Sequence, residues 1–408
     1  MLKHSDRVRL VDLEMEIMSS HKWGQVVGAM QVPFPVLTHL RLSGRLDVPV
    51  LPSGFLGGSA PCLQYLGLNG IPLPELPPFL LSARGLVSLQ LKCIPPTGYI
   101  SPEAMVVGLA GLTRLRTICI EIQFQSPIPP PEQTRRGPDH PMLAVLPALT
   151  QFVFAGESKY LEDLLAQIDA PRVEDVRIEY YTQVVQTPQL SRFLGRIANF
   201  KLAQFRRAQV IFCGDDACIE LDRPQGECRR VHLSVTTLDG GPNFQVPYVI
   251  QDAMLSNVGH LSISRTQVEV GQQDDLNGTD WLPLLHLLPT VKTMHVNRAM
   301  ALYIASAIGG IADEMVAKVL PALQLLCLED GEDNDYDPYD YSHVNDYDSY
   351  FDDFEPVGST ERFLSLRRLS GCPVIIVNTE DKFVERLHAR WMCQEKVPWQ
   401  LPLWSSVI

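Results

Sequence analysis

The chain has 408 residues, of which 46% are hydrophobic and 20% charged, a composition typical of a folded protein. Its 34 basic and 47 acidic side chains give a formal charge of −13, which argues against nucleic acid or membrane partners because both need a positive surface. The longest apolar stretch, residues 301–312, is shorter than the about 20 residues of a membrane span. No secretory signal is visible and no CxxC pair occurs, so we expect an intracellular location, cytoplasmic or nuclear.

A short pattern recurs along the chain: an apolar residue, two variable residues, an apolar residue, one variable residue and a third apolar residue. Leu37, Leu40 and Leu42 form one copy, and residues 63–68 repeat it. Further copies lie at 8–13, 86–91, 115–120, 149–154, 173–178, 228–233, 258–263, 291–296 and 323–328, with a weaker copy at 205–210. The copies recur at intervals of roughly 23 to 34 residues, at or just above the period of about 20–29 that leucine-rich repeats show.

The pattern predicts a short strand in every copy. Its last two apolar positions lie two residues apart and therefore point to the same face, while the first anchors the turn that leads into the strand. A strand this short cannot bury its face alone, so the copies must stack. Between the strands, helical spacing predicts helices at 103–112, 160–168, 188–200, 248–255 and 299–320.

These elements predict an α/β fold, an irregular leucine-rich-repeat solenoid with parallel strands on the concave face and helices and loops on the convex face. We expect the solenoid to occupy residues 1–328, with a Pro-rich loop at 126–141. Residues 329–358 are rich in Asp and Tyr, which predicts an acidic disordered insertion. Residues 359–408 should hold the last strand and a C-terminal cap, because 381–399 keep helical apolar spacing.

Several phrases of the sequence resemble a known family. RVRLVDLEM, FPVLTHLRLSG and LPALTQFVFAGESKYLEDLLAQIDAPRVEDVRIEYY resemble the repeat region of F-box/leucine-rich-repeat-like proteins of basidiomycete fungi, over roughly residues 7–330. The resemblance implies that the repeats hold a substrate while an F-box docks to the linker subunit of an SCF-type, cullin-based ubiquitin ligase. No LPxE-type F-box opening is found, so the linker subunit is an expected partner only if an F-box precedes these residues in the gene product.

Motifs of catalysis and cofactor binding do not occur. The sequence contains no GxxxxGK[ST], no GxGxxG that opens a helix after a strand, no HExxH and no GxSxG. We therefore expect no enzyme and no cofactor.

Two groups of residues were weighed as metal sites. Cys213, Cys218 and Cys228 with His232 have the spacing C-x4-C-x9-C-x3-H, whereas zinc sites usually show close C-x2–4-C pairs, so buried or incidental thiols are the preferred interpretation. The alternating aspartates of the acidic insertion are similar to a calcium loop, but Pro338 stands at the position that requires glycine. No metal is expected, and the insertion is interpreted as a solvated segment or as a strip that recruits a basic partner.

The remaining candidate is the predicted concave face. Side chains that alternate with the buried positions should point to solvent and form a mixed polar surface, which suits protein recognition better than small-molecule binding. The hypothesis is a protein–protein interaction module whose protein partner is of unknown identity. The alternatives are a free-standing scaffold with no ubiquitin-ligase role and an ordinary solvated sheet surface. The candidate partner-binding residues are Arg41, Tyr65, Asn69, Gln90, Lys92, Asp175, Arg177, Glu179, Arg230, His232, His260, His295 and Asn297.

Overall fold

A computed structural model shows how these segments fold. It describes residues 4–14, 20–44, 50–73, 75–122, 143–181, 187–197, 205–213, 216–222, 230–236, 257–265, 281–297, 318–329 and 374–378, with residues 255, 300, 301, 303, 304, 308, 365, 367 and 368. The Pro-rich loop, nearly all of the acidic insertion, the segment 381–399 and most of the helices expected at 248–255 and 299–320 lie outside the described residues. The chain forms two compact units, Met1–Val258 with Thr266–Leu288, and Gly259–Arg265 with Pro289–Ile408.

The first unit contains a long, mostly parallel sheet. In chain order, the strands are β1 (Leu10–Glu14), β2 (His39–Ser43), β3 (Tyr65–Asn69), β4 (Ser88–Ile94), β5 (Thr117–Ile122), β6 (Ala144–Val145), β7 (Gln151–Gly156), β8 (Ile168–Asp169), β9 (Asp175–Tyr180), β10 (Arg207–Cys213), β11 (Asp216–Asp222) and β12 (Arg230–Thr236). Their order across the sheet is β1-β2-β3-β4-β5-β7-β9-β12-β11-β10, and β6 pairs with β8 separately. Every repeat copy of this unit thus contributes a strand, as predicted.

Register explains why the apolar pattern stacks. Leu40 on β2 is the partner of Leu66 on β3, which is the partner of Leu89 on β4. The row continues through Ile118 and Phe152, and all five side chains have 0% exposure. Because burying a side chain of this size contributes about 1.5–3 kcal/mol, the row forms the stabilising core of the array.

The turn before each strand also repeats. The amide of Leu63 donates to the carbonyl of Ala60, and the amide of Leu86 donates to that of Ala83. The backbone then joins each copy to the next, because the carbonyl of Gln64 accepts from the amides of both Val87 and Ser88. The first apolar position of the pattern therefore anchors the turn, as the sequence predicted.

Helices connect the strands on the buried side of the sheet. They are α1 (Ser20–Ala29), α2 (Leu76–Ser82), α3 (Pro102–Leu109), α4 (Ser158–Leu165), α5 (Pro188–Arg196) and α6 (Trp281–His286). The ring of Phe152 on β7 lies 5.6 Å from that of Phe193 on α5, which shows that α5 covers the core row. The helices predicted at 103–112, 160–168 and 188–200 are confirmed as α3, α4 and α5, with ends that differ by up to four residues.

The strands β10, β11 and β12 depart from the prediction of parallel strands throughout. β11 pairs antiparallel with both neighbours, and β12 rather than β10 lies beside β9. Cys213 is the partner of Asp216, so two residues connect β10 to β11, and a connection this short permits only an antiparallel hairpin. The prediction of an all-parallel sheet is therefore wrong here.

The second unit repeats the parallel arrangement. β13 (His260–Arg265), β14 (Thr293–Asn297), β15 (Leu325–Glu329) and β16 (Ile375–Asn378) pair in that order. The first three contain the predicted copies at 258–263, 291–296 and 323–328. Across the described part of the chain, none of the helices combines the length and apolarity that a membrane crossing needs.

Replacing Ser101 by alanine should test how the connecting helices begin. The Ser101 hydroxyl accepts a hydrogen bond from the amide of Ala104 at 3.3 Å, at the start of α3. We expect Ser101→Ala to lower the free energy of unfolding by about 1 kcal/mol, because the amide loses its acceptor. In urea denaturation, Ser101→Asp should remain close to wild type; equal loss in both variants would contradict a capping role.

Candidate functional site

The candidate site is the face of the first unit's sheet that carries the side chains alternating with the buried row; we call it the open face. Register places these side chains in three rows that run across the strands. The first row holds His39, Tyr65, Ser88, Thr117, Gln151 and Asp175. The second row holds Arg41, Gly67, Gln90, Cys119, Val153, Arg177 and His232. The third row holds Ser43, Asn69 and Lys92 and, after a register shift in β4, Glu121, Ala155, Glu179 and Ser234.

The predicted binding residues divide between the two units. Those from Arg41 to Glu179, together with His232, lie on the open face of the first unit, and Arg41, Lys92, Arg177 and Glu179 are exposed. Arg230 is the Cα partner of Asp175. His260, His295 and Asn297 lie on β13 and β14 of the second unit and are half-buried. The sequence grouped all of them as one surface, and within the first unit register places the described side chains on one face.

Asn297 has a structural contact that the sequence prediction did not anticipate. Its side-chain oxygen accepts a hydrogen bond from the amide of Met300 at 2.8 Å. An asparagine in this position satisfies a backbone donor where the chain turns after a strand. We therefore interpret Asn297 first as a structural residue, whose side chain accepts the hydrogen bond of the Met300 amide.

Strands β2, β3 and β4 carry an ordered polar cluster. The rings of His39 and Tyr65 stack with centroids 6.1 Å apart and an interplanar angle of 19°. The Tyr65 hydroxyl donates to Oε1 of Gln90 at 3.1 Å, and Nδ2 of Asn69 donates to the Ser43 hydroxyl at 3.3 Å. Side chains from three neighbouring strands thus hold one another in place.

Gly67 lies in the middle of this cluster. A Cβ atom at position 67 would stand only 2.9 Å from the Tyr65 hydroxyl oxygen and 3.1 Å from its Cε1 atom. Tyr65 and Gly67 are two residues apart and so share a face of β3. The absence of a side chain at 67 therefore lets the Tyr65 ring lie along the strand.

Strands β9, β11 and β12 carry contacts between ionisable side chains instead. Nη2 of Arg177 lies 3.3 Å from Oδ2 of Asp175, and Nε2 of Gln151 donates to the same oxygen at 3.1 Å. Nδ1 of His232 lies 2.8 Å from Oε1 of Glu220 on β11. Glu220 was absent from the predicted set because the repeat pattern skips β11; the strict alternation of residues 216–222 was the available signal.

Three side chains with a raised pKa lie on or just after neighbouring strands: Cys93 near the end of β4, Cys119 within β5 and Tyr181 directly after β9. Burial, followed by the charge of Glu121 and the hydrogen bond that Cys93 Sγ donates to Glu121 Oε1 at 3.5 Å, raises the pKa of the Cys93 thiol to about 11. Burial also raises the pKa of Cys119 and of the Tyr181 phenol. Because nucleophilic cysteines need a lowered pKa, these thiols are protonated at neutral pH and are not activated.

The Cys/His group weighed as a zinc site is not assembled in the described residues. Cys218 pairs across the hairpin with Ile211, whereas Cys213 pairs with Asp216, and His232 contacts Glu220. Cys228 lies outside the described residues. Within the ranges that the structure describes, no group of three or more His, Cys, Asp or Glu side chains is arranged to hold a metal ion.

Together, the stacked parallel strands, the repeated turns and the connecting helices define an α/β repeat protein of leucine-rich-repeat-like type. No protein-family model and no curated protein matches the chain. A solved structure, the leucine-rich repeat-containing protein LegL7 from Legionella pneumophila, is similar over 79% of this chain and 91% of its own, with 12% identity and a TM-score of 0.28. At that TM-score the fold assignment rests on the strand ladder described above.

Proposed function

We propose that this chain is a protein-interaction module whose partner binds the open face of the first unit. The observation that carries the proposal is the division of each strand into two faces. Leu40, Leu42 and Ile178 are fully buried on one face, while their neighbours Arg41 and Arg177 are exposed on the other. The sheet therefore presents a mostly polar surface that includes Arg41, Arg177 and Tyr65, and Arg and Tyr are residue types enriched in protein interfaces.

The size of the surface supports a macromolecular partner. From β1 to β10 there are ten strands and nine spacings, which at ~4.8 Å each span about 43 Å, and strands of five residues add about 16 Å in the other direction. The resulting area, on the order of 700 Å², is close to the ~800 Å² per partner of a standard protein interface.

The resemblance to F-box/leucine-rich-repeat-like proteins supports a narrower proposal, that the partner is the substrate of an SCF-type ubiquitin ligase. In that case an F-box elsewhere in the gene product contacts the linker subunit, and the open face selects the substrate. The competing proposal is a free-standing scaffold whose partner has no connection with ubiquitin transfer. The two differ in which proteins accompany the chain, and not in the face that binds them.

Affinity purification of the natively expressed chain, followed by mass spectrometry, tests both the binding of a partner through the open face and the ubiquitin-ligase role. Arg41→Glu/Arg177→Glu reverses two charges on the open face, and Arg114→Glu/Lys159→Glu reverses two exposed charges away from it. We expect the amount of a specific partner recovered with the first variant to fall by about tenfold or more, because like charges across an interface repel. The control variant should recover as much of this partner as wild type. Both variants should keep the circular dichroism spectrum of wild type.

The outcomes separate the proposals. Equal recovery of the partner by the open-face variant and by wild type would contradict binding through this face. Cullin and linker peptides that accompany the partner would support the ligase role. Their absence beside a partner that the open-face variant loses would support the scaffold.

A further inference from the structure

We infer that the β2–β4 part of the open face binds an acidic peptide segment that carries a planar aromatic side chain. We call this region the tyrosine platform; it consists of His39, Arg41, Tyr65, Gln90 and Lys92 above Gly67. The inference rests on the proposed function and names the class of partner that this part of the face recognises.

The aromatic part of the platform is the Tyr65 ring, which lies close to Gly67. A Cβ at position 67 would stand within 3.3 Å of three atoms of the Tyr65 side chain, so the ring lies against the backbone of Gly67. Every other residue of the second row from Arg41 to His232 carries a side chain. The Tyr65 side chain is half-buried and His39 is exposed, so a partner's ring can pack against the accessible part of this ring pair, in the offset-stacked or edge-to-face geometry that aromatic pairs prefer.

The Tyr65 ring is held on both sides before any partner arrives. His39 stacks on it from β2 at 6.1 Å, and Gln90 accepts its hydroxyl hydrogen from β4 at 3.1 Å. The side chain therefore loses little conformational freedom when a ligand binds, and such preorganisation favours affinity.

Positive charge lies near the ring, since Arg41 is the Cα partner of Gly67 and Lys92 is the Cα partner of Asn69. Arg41 on β2 and Lys92 on β4 are both exposed, and their strands lie two spacings, about 10 Å, apart. The open-face positions of β2, β3 and β4 contain no acidic residue. Arginine and lysine side chains are long enough to reach a carboxylate held over the intervening strand.

Negative charge limits how far an acidic ligand can extend. Asp12 on β1 is the Cα partner of Arg41, and Glu121 lies on β5 beyond Lys92. These carboxylates repel an acidic segment that leaves the platform and attract a basic segment to their own positions, which gives the platform a preference for short acidic stretches. A nucleic acid, with a charge on every phosphate, fits a narrow two-cation stripe between carboxylates poorly.

Fluorescence anisotropy with the full chain and three labelled peptides tests the inference. The peptides contain Glu-Glu-Tyr-Glu-Glu, Glu-Glu-Ala-Glu-Glu and Lys-Lys-Tyr-Lys-Lys, so that in an extended chain the central residue and the first and last residues share a face. We expect saturable binding of the first, roughly five- to tenfold weaker binding of the second because it lacks the stacking ring, and no saturable binding of the third. Binding of the first should also weaken as salt is added.

Variants separate the ring from the charges. Arg41→Gln/Lys92→Gln should weaken binding of the Glu-Tyr peptide by roughly tenfold, whereas the matched double neutralisation Arg114→Gln/Lys159→Gln, at exposed positions away from the open face, should leave that binding unchanged. Gly67→Ala displaces the Tyr65 ring and should reduce binding of the Glu-Tyr peptide to that of the Glu-Ala peptide. Tyr65→Ala removes the ring without crowding the strand and should do the same, so the test stands even if Gly67→Ala unfolds.

The inference is overturned if the Glu-Tyr and Glu-Ala peptides bind equally, if the basic peptide binds as well, or if no saturable binding occurs up to about 1 mM. Its failure is distinguishable from failure of the proposed function. If the peptides do not bind but a captured partner is still lost on Arg41→Glu/Arg177→Glu, only the platform inference fails. If partner capture is insensitive to those substitutions, the proposed function fails as well.

Discussion

Replacing Phe152 by alanine should lower the free energy of unfolding by about 3–5 kcal/mol, a large part of the ~5–15 kcal/mol that stabilises a typical protein. Phe152 is fully buried in the core row, between its partners Ile118 and Val176. Its ring also contacts that of Phe193 on α5 at 5.6 Å. The substitution therefore removes contacts to both neighbouring repeats and to the helix that covers them.

The cavity that Phe152→Ala leaves cannot be filled easily by movement of the neighbouring strands. The backbone of β7 is hydrogen-bonded on both sides, because the amide of Gln151 donates to Arg116 and the carbonyl of Thr150 accepts from Asp175. Partial relaxation of a cavity is what reduces the cost of such substitutions. We therefore expect a value toward the upper end of the range.

Urea denaturation followed by circular dichroism measures this effect. Val153→Ala is the matched control, since Val153 is the next residue along β7 but points to the open face and is only half-buried. We expect the control to change stability by about 1 kcal/mol or less. Similar losses for both variants would show that the two faces of β7 are not divided as described.

Replacing Tyr160 by phenylalanine should lower the free energy of unfolding by about 1–3 kcal/mol, because a buried carbonyl acceptor loses its hydrogen-bond donor. The Tyr160 hydroxyl donates to the carbonyl of Ile100 at 3.0 Å across 60 residues of chain. The ring also stacks on Phe154 with an interplanar angle of 15°. Phenylalanine keeps the stacking, so the measured loss reports the hydrogen bond alone.

The stability difference between wild type and Tyr160→Phe should also depend on pH, and it should decrease at high pH. Burial strongly raises the pKa of the Tyr160 phenol, so the folded state keeps the proton above pH ~10, where a tyrosine in the unfolded chain ionises. A raised pKa contributes stability that is fully present below the unfolded value and is lost as the pH rises above it. The stability difference between wild type and Tyr160→Phe should therefore be constant around neutral pH and shrink above pH ~10.

Tyr65→Phe provides the control for Tyr160→Phe. It also removes a hydroxyl hydrogen bond, to Gln90, but at a half-buried position on the open face where water can replace the lost partner. We expect a change within about 0.5 kcal/mol. A loss as large as that of Tyr160→Phe would argue against burial as the cause.

The strands and their buried faces follow from the amino-acid pattern. Leu40 and Leu42, like Leu66 and Leu68, lie two residues apart, and only a strand places such a pair on one side. Because a five-residue strand cannot bury that side alone, stacking of the copies also followed from the pattern. The same alternation identified Arg41, Lys92 and Arg177 as solvent-facing side chains, which the structure shows on the open face.

The order of β10, β11 and β12 in the sheet could not be predicted from the amino-acid pattern. Apolar periodicity specifies which face of a strand is buried, but it does not specify which strands pair with one another. The contact of His232 with Glu220 depends on that order. The tyrosine platform likewise arises from residues on three separate strands, and the bare Gly67 acquires its role only when the Tyr65 ring lies over it. Local chemistry specified the repeat, whereas contacts between distant segments specified the surface that the repeats present.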